Sequence, residues 1–224
     1  MVMFSASEVL KKSQINMKIL IATKNRGKFN EISGVLSSDN VETVFLGALN
    51  VDDGDFVEDG DTHEANSYKK AKYYFDKLGC EFDFVLGEDS GIYVDALGDE
   101  LGVKTRRWGA GETASDEDWL EYFMKVMGER AVEEGTRGAK FVCNACVIGL
   151  KADGTEFCEF FEGKTSGKIV HEIAQEVLPG LPLSSVFLPD GFDRVYAVLT
   201  REEKNSISHR GRAIGKLNNF LKNL

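Results

Sequence analysis

The sequence predicts a mixed α/β fold, on three observations. Residues 18–22 (KILIA) are an apolar run, followed by a polar loop and then by Phe29, Ile32 and Leu36 at helical spacing. Two strand-like segments, FVCNACVIGL (141–150) and EFCEFFEG (156–163), flank Ala152-Asp153-Gly154, a hairpin signal. From Ser208 onward, Ala213, Ile214, Leu217 and Leu221 form the apolar stripe of a closing helix. Strands and helices alternate along the chain, which argues against an all-helical or all-strand architecture.

Taken in order, 18–22 reads as a buried strand, Thr23 to Lys28 as a loop, and the segment from Phe29 as a helix. VETVFLGAL (41–49) holds a second strand, and the acidic stretch 51–61 is loop-like. Residues 62–78 read as a helix capped by Thr62, with Gly79 just past its end. FDFVLGEDSGIYVDAL (82–97) reads as a strand, a tight Asp-Ser-Gly turn and a second short strand. Residues 116–130 are an amphipathic helix with Trp119, Phe123 and Val126 on one face. After the hairpin, GKIVHEIAQEV is ambiguous and FDRVYAVL (192–199) is a strand candidate.

The 224 residues suffice for one large domain or two joined lobes, and 42% hydrophobic with 29% charged residues is a soluble globular profile. Twenty-seven basic against 37 acidic side chains leave a net charge of −10, which argues against duplex nucleic acid as partner. It does not exclude a small anion held by a few local lysines. No run of 18 apolar residues exists, so no membrane-spanning helix is expected. Residues 1–16 read as an N-terminal tail or extension, and 17–224 as the domain proper. Cys143 and Cys146 form a C-x-x-C, but an offset of three on a strand points the two side chains to opposite faces. They read as reduced, buried cysteines of a cytosolic protein.

Four groups of residues carry chemistry. Thr23, Asn25 and Lys28 lie between a strand and a helix, where N-terminal amides favour anions, and Gly27 would allow a ligand to approach closely. Glu58, Asp59 and Gly60 precede a helix on which Asn66 and Lys70 share a face, so a carboxylate for a hard cation stands beside a lysine for phosphate. Glu88 and Asp89, ahead of Ser90 and Gly91, are two adjacent acids that repel unless a cation neutralises them, and Mg²⁺ suits such a pair. Lys204, His209 and Arg210 gather around the first turn of the last helix, where cations oppose the dipole unless an anion faces them. His63 and His171 show no partner pattern and read as structural or surface residues.

In this order the stretches ATKNRGKFNEI, EDGDTHEANSYKKA, EDSGIYVDALGDELGVKTRRWG, FEGKTSGKI and EEKNSISHRGRA resemble the inosine triphosphate pyrophosphatase (Ham1-like) family, over residues 22–213. The resemblance implies an elongated mixed sheet with flanking helices, two lobes around a central cleft, usually as a homodimer. It implies Mg²⁺-dependent hydrolysis of non-standard purine nucleoside triphosphates to monophosphate and pyrophosphate, in the cytoplasm. By the same resemblance Asp89 is catalytic, and Glu58 and Asp89 hold the metal. Thr23, Asn25, Lys28, Lys70, Ser90, Lys204, His209 and Arg210 contact the nucleotide, and Arg107 matches a recurrent arginine of unassigned role.

One segment departs from the family pattern. Where most members carry F-G-Y-D-P-x-F, residues 181–187 read LPLSSVF, so Leu181 replaces the aromatic that would stack on the base and Ser184 replaces an aspartate. His63 and Ala65 stand where the family often has Phe and Glu. Three outcomes follow: the family's chemistry, the same chemistry with altered base preference, or nucleotide binding with little turnover.

Overall fold

The computed structural model describes residues 17–224 except 38, 39, 53, 55, 134 and 174, so the expected tail at 1–16 lies outside the described residues. Six strands form one mixed sheet in the order β2-β1-β3-β4-β5-β6. They are β1 (Met17–Ile21), β2 (Val41–Phe45), β3 (Phe84–Val94), β4 (Gly138–Leu150), β5 (Glu156–Ile169) and β6 (Phe187–Pro189). β2, β1 and β3 run parallel, and β3 to β6 are mutually antiparallel. The helices are α1 (Arg26–Leu36), α2 (His63–Leu78), α3 (Asp116–Arg130), α4 (Arg201–Ile207) and α5 (His209–Leu221).

Strand alternation divides the core into layers. Ile19, Ile21, Phe84, Leu86, Cys143, Ala145 and Val147 face α1 and α5, meeting Ile32, Leu36, Ile214 and Leu217. Leu20 and Val85 face the other way, toward Tyr74 of α2, and Cys146 packs there with Ala71. Cys143 and Cys146 thus lie on opposite faces as expected, and the four cysteines are free, although Cys80 is exposed. The far ends of β3, β4 and β5 pack with Trp119, Phe123 and Met127 of α3 and with Phe187 and Tyr196. Two glycines let helices sit directly on strands: a Cβ on Gly87 would lie 2.1 Å from Ser67 O of α2, and one on Gly163 would lie 2.0 Å from His209 O of α5.

Two expectations are corrected. Residues 84–94 form one continuous strand with no Asp-Ser-Gly turn, because β4 pairs with every residue from Phe84 to Val94. Residues 192–199 form no strand: β6 already occupies the edge of β5, and Tyr196 instead starts a 3-10 turn whose ring packs 4.9 Å from Phe187. Gly79 lies just past the end of its helix as read, with a φ of −58°, and the chain continues into a 3-10 turn. The remaining segments form as read: Thr62 and Ser208 cap their helices through side-chain bonds, and the hairpin closes at residues 151–155.

The position of the site follows from unequal strand lengths. β1 pairs with β3 only as far as Leu86, whereas β3 runs on to Val94. Beyond that point β3 has β4 on one side alone, and a cavity of about 610 Å³ opens along the stretch that β1 leaves uncovered.

Candidate active site

The twelve residues that the family resemblance and the departure at 181–187 point to line this cavity: Thr23, Asn25, Lys28, Glu58, Lys70, Asp89, Ser90, Leu181, Ser184, Lys204, His209 and Arg210; Asn66 and Glu88 lie behind its wall. Arg107 lines it too. Seven lining residues are Lys or Arg and five are Asp or Glu, a local excess of positive charge in a chain that carries −10 overall.

The first wall is the start of α1. Asn25 caps the helix, its Oδ1 accepting from Lys28 N at 3.0 Å, while its own amide donates to Thr23 Oγ1 at 3.1 Å. Helix geometry leaves the first-turn amides of Arg26 and Gly27 without intrahelical acceptors. Asn25 Nδ2 donates to Gly180 O at 2.9 Å, and the Gly180 amide donates to Asp116 Oδ2 at 2.5 Å. The backbone of Gly180 is therefore held from both sides, its carbonyl by α1 and its N–H by α3. This corrects the expected use of Gly27: a Cβ there would lie 2.8 Å from Pro179 O and 2.9 Å from Leu181 Cγ, so the 179–181 segment makes the close approach.

The second wall is β3. Because a strand alternates, Glu88 and Asp89 point to opposite faces, and the repulsion expected of adjacent acids is relieved without a shared cation. Glu88 is 2% exposed. Its Oε1 accepts from Arg210 Nε at 3.1 Å and Nη2 at 3.0 Å, and its Oε2 pairs with Lys28 Nζ at 2.9 Å. Burial alone would raise this carboxyl, but Arg210 and then Lys28 outweigh it and hold it well below the usual range. Asp89 meets a different set: His63 Nδ1 lies 2.7 Å from Oδ2, and Asn66 Nδ2 donates to the same oxygen at 3.3 Å. Burial again works upward, and the His63 bond with the Lys28 charge brings this group below its ordinary value.

The acidic loop and α2 form the third wall. Lys70 Nζ pairs with Glu58 Oε1 at 2.5 Å and donates to Glu88 O at 3.1 Å, on the strand edge that β1 leaves uncovered. Arg107 Nη1 donates to Glu58 O at 2.7 Å, which gives the recurrent arginine a role: it pins the backbone of the loop that carries Glu58.

The last wall is α4, α5 and the 181–185 segment. Lys204 Nζ pairs with Glu31 Oε1 at 2.5 Å and donates to Ser184 Oγ at 3.1 Å. Arg210 also bonds Glu31 and donates to Ser90 Oγ at 2.9 Å. The cationic start of α5 is thus balanced within the protein by Glu31 and Glu88. His209 adds no charge, because burial and then the neighbouring Arg210 push it well below 6.5. Its ring stacks on Phe141 at 4.5 Å and 9°. Leu181 and Ser184 supply no aromatic ring and no carboxylate at this end, and Tyr196 and Trp119 are among the rings that line the cavity.

Sequence reading missed three contributors. His63 is not a surface residue: it is 3% exposed and has a partner the sequence did not reveal, Asp89. Glu31 joins two of the expected cations, and its place at i+3 from Lys28 on a charged helix was the one available hint. Asp116 reaches the cavity only through the fold.

Among the described residues, no three His, Cys, Asp or Glu side chains converge as a metal cage. Mg²⁺ needs no such cage, since it takes one or two carboxylates and completes its shell with water and substrate phosphates. Glu58 and Asp89, hard oxygen donors on two walls of one cleft, fit that requirement.

Fold and cleft together define the class, a mixed α/β protein with a locally basic cavity at the uncovered edge of a central strand. The chain belongs to the Ham1 family, whose model matches residues 19–220. It is 32% identical over 211 residues to a dITP/XTP pyrophosphatase of Clostridium perfringens, covering 92% of this chain and 98% of that protein. It is 34% identical to a dITP/XTP pyrophosphatase of Aquifex aeolicus, with the same coverage of 92% and 98%. Among solved structures, the Ham1 protein of Staphylococcus aureus superposes with a TM-score of 0.70 at 30% identity, covering 92% and 98% of the two chains. A HAM1 protein from Coxiella burnetii gives 0.72 at 26% identity, covering 93% and 100%. No helix among the described residues is long and apolar enough to cross a membrane.

Proposed function

We propose that this protein is a nucleoside triphosphate pyrophosphatase that hydrolyses non-standard purine nucleoside triphosphates (ITP, dITP or XTP) to the monophosphate and pyrophosphate. The observation that carries the reading is the convergence of Lys28, Lys70, Lys204 and Arg210 on one cavity with Asp89. The dITP/XTP pyrophosphatases aligned over nine-tenths of the chain support it.

In this reading the first-turn amides of α1, with Lys28 and Lys70, receive the phosphates, whose negative charge several dispersed cations must offset. Arg210, held rigidly by Glu88, Glu31 and Ser90, supplies fixed positive charge and pays little reorganisation on binding. Glu58 and Asp89 would hold Mg²⁺, which when bound supplies charge neutralisation at the phosphates. Asp89 lies below its ordinary pKa, so it is a weak base; its main task is to orient the attacking water and to accept a proton only as the bond to phosphorus forms. Attack at the α-phosphorus follows from the family resemblance. So do a cytoplasmic location, a homodimer, and the division of residues 17–224 into two lobes that meet at the cleft.

A second reading concerns the base. Leu181 in place of an aromatic, with Ser184 bonded to Lys204 in place of an aspartate, favours weaker or altered base discrimination. One panel separates the readings: ITP, dITP, XTP and the standard triphosphates with Mg²⁺, assayed for pyrophosphate and orthophosphate. Pyrophosphate from the inosine and xanthosine nucleotides supports the proposal. Orthophosphate would overturn the site of attack, and tight binding without product would leave a nucleotide-binding protein.

A further inference from the structure

We propose that His63 is a positioning residue for Asp89, fixing through one buried hydrogen bond the orientation in which that carboxylate meets the reacting nucleotide. The inference rests on the reading of Asp89 as the reaction's carboxylate given above.

His63 is the first residue of α2, directly after the Thr62 cap, and the helix start places its ring beneath β3. Nδ1 lies 2.7 Å from Asp89 Oδ2, with both side chains more than nine-tenths buried. An ionised carboxylate only accepts, so Nδ1 carries the proton and donates. The opposite tautomer would place two acceptors face to face and bury an Nε2 proton, since Nε2 is buried without a hydrogen-bond partner. The edge of the ring is braced by Tyr93, with centroids 6.1 Å apart and planes at 89°.

One helical turn on, Asn66 Nδ2 donates to the same oxygen, and Asn66 Oδ1 in turn accepts from Gly60 N at 2.7 Å. Both donors converge on Oδ2 and neither on Oδ1. A carboxylate held through one oxygen loses its freedom to rotate and presents the other in a fixed direction. The His63–Asp89–Asn66–Gly60 chain also ties that direction to the loop carrying Glu58, two residues before Gly60. The two carboxylates assigned to the metal are therefore aligned by one hydrogen-bonded unit of α2. A ring with no donor at position 63 would fill the space and leave Oδ2 with the longer Asn66 bond alone.

The test uses the full-length protein and two variants. His63→Phe keeps a ring and removes the donor, while His63→Asn places an amide near the position of Nδ1. If His63 positions Asp89, His63→Phe lowers kcat roughly 10–100-fold. Nucleotide KM stays within about twofold and the melting temperature stays close to wild type, because the phosphate contacts are untouched. His63→Asn recovers most of kcat. Independently of turnover, ¹⁵N spectra of the imidazole show the Nδ1–H tautomer in wild type and its loss in Asp89→Ala. Wild-type kcat in His63→Phe, equal loss of kcat and melting temperature in both variants, or an Nε2–H tautomer in the wild type would each overturn the proposal. Wild-type protein that releases no pyrophosphate would instead overturn the functional reading on which the proposal rests.

Discussion

Glu88 and Asp89 are consecutive on β3, yet one carboxylate bonds Arg210 and the other bonds His63, on opposite faces of the strand. Their substitution should therefore separate stability from turnover. Glu88→Ala leaves the buried Arg210 and the partly buried Lys28 facing each other without their shared partner, a loss of about 3–5 kcal/mol by denaturant titration. Asp89→Asn keeps an acceptor for His63 and should leave the unfolding midpoint nearly unchanged while kcat falls about 10²–10⁴-fold. Wild-type rates in Asp89→Asn would remove Asp89 from the reaction.

The metal assignment gives a separate expectation. A chelator should abolish pyrophosphate release and added Mg²⁺ restore it. Glu58→Gln should raise the Mg²⁺ concentration for half-maximal rate about tenfold, with little change in nucleotide KM at saturating Mg²⁺. An unchanged Mg²⁺ dependence would show that Glu58 serves only as the partner of Lys70.

At the base end, kcat/KM for ITP should exceed that for GTP or ATP by no more than about tenfold, the discrimination expected of a site with few polar contacts to the base. Leu181→Phe should lower KM for all purine triphosphates roughly tenfold by restoring a stacking surface. A sharp wild-type preference for ITP would mean that Tyr196 or another cavity aromatic already supplies that surface.

Stability should depend on pH through His209 and Glu88, and the signs agree. His209 has a depressed folded value, so below its ordinary 6.5 the unfolded chain binds the proton that the folded one refuses, and stability falls with pH. Glu88 is likewise depressed; its stabilisation is complete above the ordinary 4.5 and is lost as pH falls toward the lower folded value. The unfolding free energy from denaturant titration should fall between pH 7 and 5 by up to about 1.4 kcal/mol per pH unit from His209, and His209→Asn should flatten that slope. An identical slope in the variant would show that folding leaves the proton affinity of the ring unchanged.

Much of the site was legible because its residues sit at the ends of elements the sequence marks clearly. Lys28 lies in the first turn of a helix that follows an apolar strand, Lys70 lies on the helix capped by Thr62, and Arg210 follows the Ser208 cap. Asp-Ser-Gly misled because turn chemistry is a local preference, and the full-length pairing with β4 overrides it. Residues 192–199 misled because alternating apolar residues do not reveal that the sheet edge is already taken. His63 gave no signal because its partner is 26 residues away on another element, and no spacing rule connects the first residue of a helix to the middle of a strand.

The clasp on Gly180 has a consequence for how such a cleft can change over evolution. The backbone of this one residue bonds the cap of the phosphate-side helix and the first turn of α3, and the next residue is Leu181 at the base end. Remodelling 181–184 to accept another base therefore pulls on Asn25, and with it on the amides that face the phosphates. Substitutions at the two ends of the substrate should be epistatic: a new base preference would be tolerated chiefly alongside compensating changes at Asn25, Gly27 or Asp116.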